Sequence, residues 1–149
     1  MAGYTGVYPV FNNKFKIGTN GLTSAEETDM KTIADLETFS PSFDNTVEEW
    51  TPMDTEGWIR RLMTGKGFSI DLSGKRNIGD EGNDYVANLV FKTGQDVETK
   101  FQWIFPSGAK VTFDCIVNVT NVGGGDSTNV GGLEFTVMSN GKPTFTPAA

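Results

Sequence analysis

The stretch DVETKFQWIFPSGAKVTFDCIVNVTNV, residues 96–122, decides the fold. Apolar and polar side chains alternate on both sides of a central turn, which is the pattern of two half-buried β-strands. The residues predicted to face the core are Val97, Thr99, Phe101, Trp103 and Phe105 before the turn, and Val111, Phe113, Cys115, Val117 and Val119 after it. Pro106 and Gly108 supply the geometry of a tight turn. The stretch therefore predicts an antiparallel hairpin with one buried face.

Further strands are predicted on both sides of this hairpin. Alternation places Phe68, Ile70 and Leu72 on one face of an upstream strand, and Leu133, Phe135 and Val137 on one face of a downstream strand. Strand-forming residues also fill positions 31–40, KTIADLETFS, where Pro41 ends the run. A short strand is predicted around residues 49–51.

One helix is predicted, within GDEGNDYVANLVFKTG at residues 79–94. Asp80 or Asn83 can cap its first turn, and Gly94 can close its last. Acidic residues near the start favour the positive end of the helix dipole. The residues that recur at helical spacing, and that we expect to be buried, are Tyr85, Val86, Leu89 and Val90.

These elements predict a single domain over residues 1–149, mostly β, with an antiparallel sandwich or barrel-like sheet and one flanking α-helix. Three segments show no clear periodicity: an N-terminal arm at 1–13, a long loop at 41–66 and a C-terminal tail at 141–149. The long loop contains Trp50 and Trp58.

Composition excludes several classes of function. The formal net charge is −7, which disfavours a surface that binds nucleic acid phosphates. The chain has no histidine, the side chain most often used in proton transfer and metal binding. Its one cysteine, Cys115, cannot form an internal disulfide and is expected to be an inert buried thiol. No apolar run is long enough to span a bilayer, and the N-terminus does not resemble a signal peptide.

Three stretches look like functional motifs but do not match the residue spacing that those motifs require. TGKG, at 64–67, lacks the upstream glycine and the following hydroxyl of a phosphate loop, so we read it as a turn that returns the chain to the sheet. GGGDSTNVGG, at 123–132, precedes no helix and is predicted to be a loop. GDEGND, at 79–84, departs from calcium-loop spacing. The sequence predicts no catalytic, cofactor or metal site, and no enzyme activity.

The order of the elements resembles the major tail proteins, or tail tube proteins, of long-tailed bacteriophages. The resemblance rests on IADLETFSPSFDN (33–45), GWIRRLMTGKGFSIDLSG (57–74), the helix after GDEGND, the hairpin turning on FPSG (105–108) and the closing NGKPTF (140–145). It covers residues 31–147 and points to tails of the non-contractile, siphophage type. It implies a virion protein, made in the host cytoplasm, whose hexameric rings stack into a tube that conducts DNA during ejection.

The resemblance also implies the partners: further copies of the chain, the tape measure, tail tip and terminator proteins, and DNA only in transit, with no membrane. The segment 41–66 would then be an inter-subunit loop. Its candidate contact residues are Trp50, Trp58, Ile59, Arg60, Arg61, Leu62 and Met63, the two arginines pairing with acids of a neighbour.

Candidates for the lumen are acids that alternate outward on strands: Asp35, Glu37, Asp71 and Glu98. Periodicity assigns each to a face, but it leaves open whether that face lines the lumen or an outer, solvated surface. An alternative function from another class is a monomeric carbohydrate-binding β-sandwich, in which exposed Trp50 and Trp58 stack on sugars.

Overall fold

The fold is taken from a computed structural model that describes residues 5–25 and 28–148. Its regular elements are β1 (Lys14–Gly18), β2 (Met30–Thr32), β3 (Leu36–Trp50), β4 (Arg60–Lys75), α1 (Glu81–Asn88), β5 (Glu98–Ile104), β6 (Lys110–Val122), β7 (Gly132–Ser139) and β8 (Thr144–Thr146). The strands form one antiparallel sheet in the order β2-β1-β5-β6-β7-β4-β3, and β8 pairs with β6. The predicted fold class, mostly antiparallel β with one helix, is confirmed.

The central hairpin is β5 and β6, in the register that the alternation predicts. Phe101 lies opposite Phe113, and Thr99 lies opposite Cys115. All four side chains are buried. The turn closes with a hydrogen bond from the Phe105 amide to the Ala109 carbonyl, 2.8 Å long. Pairing of two apolar faces in register fixes the inner side of the whole sheet.

The sheet curls until its two ends meet over the core. Phe15 on β1 and Phe39 on β3 belong to strands at opposite ends of the order, yet their ring centroids are 4.8 Å apart. Phe39 also packs edge-to-face on Trp103, 5.4 Å away. The buried core includes Ile17, Ile70, Leu72, Val86, Phe101, Phe113, Val117, Leu133, Phe135 and Val137. The result is a barrel-like sheet with its apolar core on one face; Gln102, which is also buried, lies on the other face of β5.

Helix α1 covers one end of this barrel. Asp80 is its N-cap: the Asn83 amide donates to Asp80 Oδ2 at 3.0 Å, and the Ala34 amide donates to the same oxygen at 3.1 Å. Gly82 is required here, because a Cβ at that position would lie 2.5 Å from the Thr32 carbonyl oxygen. The helix therefore packs backbone against backbone on β2.

The helix is shorter than predicted. It ends at Asn88, and Gly94 does not close it but begins a 3-10 turn, Gly94–Val97. The bonds from the Leu89 amide to Val86 and from the Val90 amide to Ala87 span three residues, so the last turn is tightened. Of the predicted stripe, Val86 and Leu89 are buried, whereas Tyr85 and Val90 are half-buried.

The predicted loop at 41–66 is wrong. Most of this segment is the outer part of β3 and the first part of β4, which pair as an antiparallel hairpin with one β-bulge. Pro41 does not stop the strand, because β3 lies at the end of the sheet order, where a missing N–H is tolerated. The predicted short strand at 49–51 is the end of β3, and the predicted strand at 31–40 is divided between β2 and β3 by a turn at Ala34–Asp35.

The C-terminal segment also differs from expectation. The predicted tail at 141–149 contains β8, whose Phe145 lies opposite Val111 on β6. Of the predicted arm at 1–13, residues 1–4 lie outside the described residues, and residues 5–13 hold the 3-10 turn Val10–Asn12. TGKG, read as a turn, is part of β4; Thr64 is the extra residue of a β-bulge opposite Thr46 and Val47.

Candidate assembly surfaces

A hairpin arm projects from the body of the protein. We define the arm as residues 43–68, from the pair Phe43 and Phe68 to the tip. β4 pairs with β7 only from Ser69 onward, so both edges of the arm lack a strand partner within the described chain. With about 3.3 Å per residue, the paired strands of the arm reach about 25 Å beyond the sheet.

The tip of the arm, residues 51–59, has a defined turn. It contains the 3-10 turn Met53–Thr55, followed by Glu56 and Gly57 with left-handed φ angles of 55° and 89°. The Thr55 hydroxyl lies 2.8 Å from the Trp58 carbonyl oxygen and 3.0 Å from that of Pro52. Met53 is 102% exposed and Trp58 is 78% exposed. An ordered turn therefore presents two large apolar side chains to solvent.

One face of the arm continues the core face of the sheet. Phe43 is paired with Phe68, and, after the bulge, Val47 is paired with Met63 on the same side. Val47 is 44% exposed and Met63 is 47% exposed. We call Phe43, Val47, Met63 and Phe68 the arm strip. Within the body a second layer of the curled sheet covers the core face, and at the base of the arm Phe68 still packs on Phe113, 4.7 Å away. Farther out, Val47 and Met63 have no such layer among the described residues.

All seven predicted contact residues lie on this arm, and all are exposed: Trp50, Trp58, Ile59, Arg60, Arg61, Leu62 and Met63. They are not a loop patch but parts of a paired ribbon. Both arginines have partners within the arm, since the Arg60 guanidinium lies over the Trp50 ring at 5.7 Å and Arg61 Nε lies 3.5 Å from Glu49 Oε2. The expected pairing with acids of a neighbouring subunit remains a prediction.

The outward side of β4, β7 and the second half of β6 is mostly polar, with Met138 as an exposed apolar exception; we call it the polar face. Asp71 lies opposite Thr136, which lies opposite Asn118, and the Thr136 hydroxyl donates to Asp71 at 2.6 Å. Glu98 belongs to the next row, opposite Ile116. The structure therefore places two of the four lumen candidates, Asp71 and Glu98, on one side of the sheet.

The other two candidates do not lie in regular strand positions. Asp35 is in the turn before β3, with a left-handed φ of 61°, and accepts a hydrogen bond of 2.6 Å from Asn77. Glu37 occupies the bulge between Leu36 and Thr38, and its carboxylate is 2.8 Å from Lys75 Nζ. Simple alternation was wrong here because a turn and a bulge interrupt the period of two.

Sequence reasoning missed further acids on the outward side of the sheet. Glu134 lies beside Asn121, and Asp114 is paired with Lys100 at 2.9 Å. Each lies between two buried residues of a predicted strand, so alternation alone identifies them. The outward side of β1 has the opposite charge, because Lys14 and Lys16 flank buried Phe15.

Three further features of the described residues bear on other functions. Among them no group of three or more metal-ligating side chains exists, and no helix is long and apolar enough to cross a membrane. Burial raises the pKa of the Cys115 thiol to about 12, which leaves it protonated and unreactive near neutral pH. Trp50 and Trp58 lie on the projecting arm rather than in a concave surface, which gives no support to a sugar-binding cleft.

Solved structures with the same fold come from phage-like tails. The tail of an empty gene transfer agent particle, reconstructed with C6 symmetry, superposes with a TM-score of 0.70 at 18% identity, over 95% of this chain and 100% of that one. The chain has the tail-tube fold. The virion of the native gene transfer agent contains a match with a TM-score of 0.69 at 21% identity, over 95% of this chain and 100% of that one.

The tail-tube fold is also found in contractile systems. The tube-terminating cap of the anti-feeding prophage matches with a TM-score of 0.62 at 11% identity, over 99% of this chain and 96% of that chain. No protein-family profile and no curated protein sequence matches this chain. At such identities the likeness is one of fold, and it spans nearly the whole length of each protein.

Proposed function

We propose that this chain is a structural protein, not an enzyme: the repeating subunit of a phage-type tail tube. The observation that carries the proposal is the agreement of nearly the whole chain with the tail-tube fold. The hairpin arm adds to it, because its outer part exposes large apolar side chains. Large exposed apolar surfaces on a soluble chain mark protein interaction sites. A subunit of a tube has such a surface because copies of itself cover it.

The subunits form rings of six, and the rings stack. The similar gene transfer agent tail has C6 symmetry, which supports six copies per ring here. The arm strip and the tip serve as contacts between copies, together with Trp50, Leu62 and the two arginines. The free edges of the arm favour the same assignment, because an unpaired antiparallel edge is a template for another chain. The partners beyond the tube are the tape measure, tail tip and terminator proteins.

The polar face lines the lumen, and DNA passes along it during ejection into the host. Asp71 and Glu134 are the acids at its centre, and Glu98 lies at its margin. Carboxylates repel the DNA phosphates, and hydroxyls carry no charge that would attract them. Each lysine or arginine bound to a phosphate would instead add affinity for DNA and slow its passage. The assembled protein is part of a virion tail, made in the host cytoplasm.

Assembly tests the proposed function. Purified protein, either concentrated or mixed with preformed tail tips, should sediment far faster than the monomer in analytical ultracentrifugation. Growth after seeding should begin above a critical protein concentration, as expected for a polymer of identical subunits. A chain that stays monomeric under both conditions would contradict the proposal.

Reversing charge on the polar face tests the lumen assignment. We expect tubes of Asp71→Lys with Glu134→Lys to retain double-stranded DNA that survives nuclease digestion, because the new ammonium groups would bind phosphates inside the tube. Retention should fall steeply with salt, since each phosphate contact releases counterions.

The matched control carries the same charge change at two exposed acids elsewhere, Asp96→Lys with Asp126→Lys. Any DNA that it retains should be digested. Equal protection by both variants, or nuclease-sensitive DNA on the polar-face variant, would place the polar face outside the lumen.

A further inference from the structure

An apolar cavity lies between the base of the arm and the C-terminal strand. It has a volume of about 300 Å³, and its walls include the rings of Phe43, Phe68, Trp103, Phe105 and Phe145. The rings hold one another in place: the centroids of Phe43 and Phe68 are 5.6 Å apart, and those of Trp103 and Phe105 are 4.4 Å apart. Such a preformed aromatic pocket suits an apolar side chain of a partner.

The rim of this cavity is basic. Lys66 is among its lining residues, and Lys142 lines the adjoining cleft together with Lys66 and Pro143. No carboxylate is among the described residues that line either space. A partner that inserts an apolar group here would therefore be favoured by acidic side chains beside that group.

The tip of the arm has this combination. Its sequence, TPMDTEGWI at 51–59, contains two acids, Asp54 and Glu56, and no lysine or arginine. Both acids lie between the two most exposed apolar side chains of the turn, Met53 and Trp58. The tip and the cavity are therefore complementary in both polarity and charge.

A subunit cannot place its own tip in its own cavity. The cavity includes Phe43, and the continuous β-ladder from Phe43 to Trp50 separates it from the tip by about 23 Å. The occupant is therefore a second copy. A knob and a socket at different places on one chain make a head-to-tail contact, which closes only as a ring and otherwise grows without limit.

We propose that the tip of one subunit docks in the aromatic cavity of a second copy, with Trp58 against the rings and with Asp54 and Glu56 facing Lys66 and Lys142. The contact rests on the proposed function, because a tube supplies the second copy. This contact makes the aromatic cavity of one subunit the binding site for the arm tip of another. It also explains why the walls of the socket combine the arm base with β8.

Disulfide cross-linking tests the contact. Cys115 is buried and does not compete, so engineered cysteines are the reactive ones. Met53→Cys and Lys142→Cys proteins would be purified separately, mixed, assembled and oxidised. We expect a covalent dimer in the mixture and none in either variant alone. The matched control replaces Lys142→Cys by Phe91→Cys, an exposed site after α1, and should give no dimer.

The outcomes separate this proposal from the proposed function. Tubes that form without the specific cross-link, or that link equally to position 91, would overturn the docking site and leave the tube function intact. In that case the cavity would belong to another tail protein. A failure of every mixture to assemble, with wild type also monomeric, would overturn both.

A charge swap provides a second, independent measurement. Asp54→Lys with Glu56→Lys should raise the protein concentration needed for assembly about tenfold, as expected for two exposed ion pairs turned repulsive. Adding Lys66→Glu and Lys142→Glu in the same chain should restore assembly, because the pairs are re-formed with opposite sign. A quadruple variant that assembles no better than the double variant would contradict the contact.

Discussion

The double substitution Val47→Asp and Met63→Asp should abolish tube assembly while leaving the subunit folded. The two side chains form the outer, exposed pair of the arm strip. In a tube they would be covered by another copy, and an unpaired carboxylate in such a contact costs about 3–5 kcal/mol. That is a loss of about 10²-fold or more in affinity for every contact. In the free subunit both positions meet water and belong to the projecting arm, so the body should stay folded, while the two facing carboxylates weaken the arm by about 1–2 kcal/mol.

Sedimentation velocity and thermal melting measure the two halves of this prediction. The matched control is Ile78→Asp with Phe91→Asp, which places two carboxylates on exposed apolar residues away from the arm. We expect the control to assemble like wild type. If the arm variant also assembles, or if both pairs abolish assembly equally, the arm strip is not a contact between copies.

The substitution Asn83→Ala should lower the free energy of unfolding by about 3–5 kcal/mol. Asn83 is 0% exposed and has four side-chain hydrogen bonds. Its Nδ2 donates to the carbonyl oxygens of Ala34 and Lys75, at 3.1 and 2.9 Å. Its Oδ1 accepts from the Asn77 amide at 3.0 Å and from Arg76 Nη1 at 2.9 Å. Alanine leaves these groups unpaired in the interior.

Two effects oppose the loss without cancelling it. Alanine favours the helix by several tenths of a kcal/mol. Arg76 also keeps its ion pair with Asp84, 2.8 Å long, whose hydrogen bond holds the pKa of that carboxyl below its ordinary value. Urea unfolding followed by circular dichroism gives the change, and Asn88→Ala, on the exposed side of the same helix, is the control. A variant as stable as wild type would show that the network does not hold α1 to the sheet.

The alternation of apolar and polar residues predicted the body of the fold because most strands there have one solvent-exposed side and one buried side. Phe113, Cys115 and Val117 alternate with polar or exposed neighbours because β6 packs on the core. The outer part of the arm has no buried side in the single chain, so its sequence shows no alternation of apolar and polar residues. The outer part of β3 is exposed at every position, and a pattern based on burial cannot recognise it.

The candidate site was predictable only in part. A cluster of large apolar residues among charged ones, such as Trp58, Leu62 and Met63, indicates an interface from sequence alone. The aromatic cavity cannot be recognised from the sequence. Phe43, Trp103 and Phe145 come from three distant segments, and they meet only because β8 pairs with β6 and the sheet curls. Long-range pairing of this kind leaves no local signal.

Cryo-electron microscopy of the seeded wild-type protein tests the central claim most directly. We predict hollow tubes whose rings have six-fold symmetry, with the polar face toward the lumen and each arm covered by another copy. Solid fibres, closed oligomers without a lumen, or tubes in which the arm strip stays exposed to solvent would contradict the account.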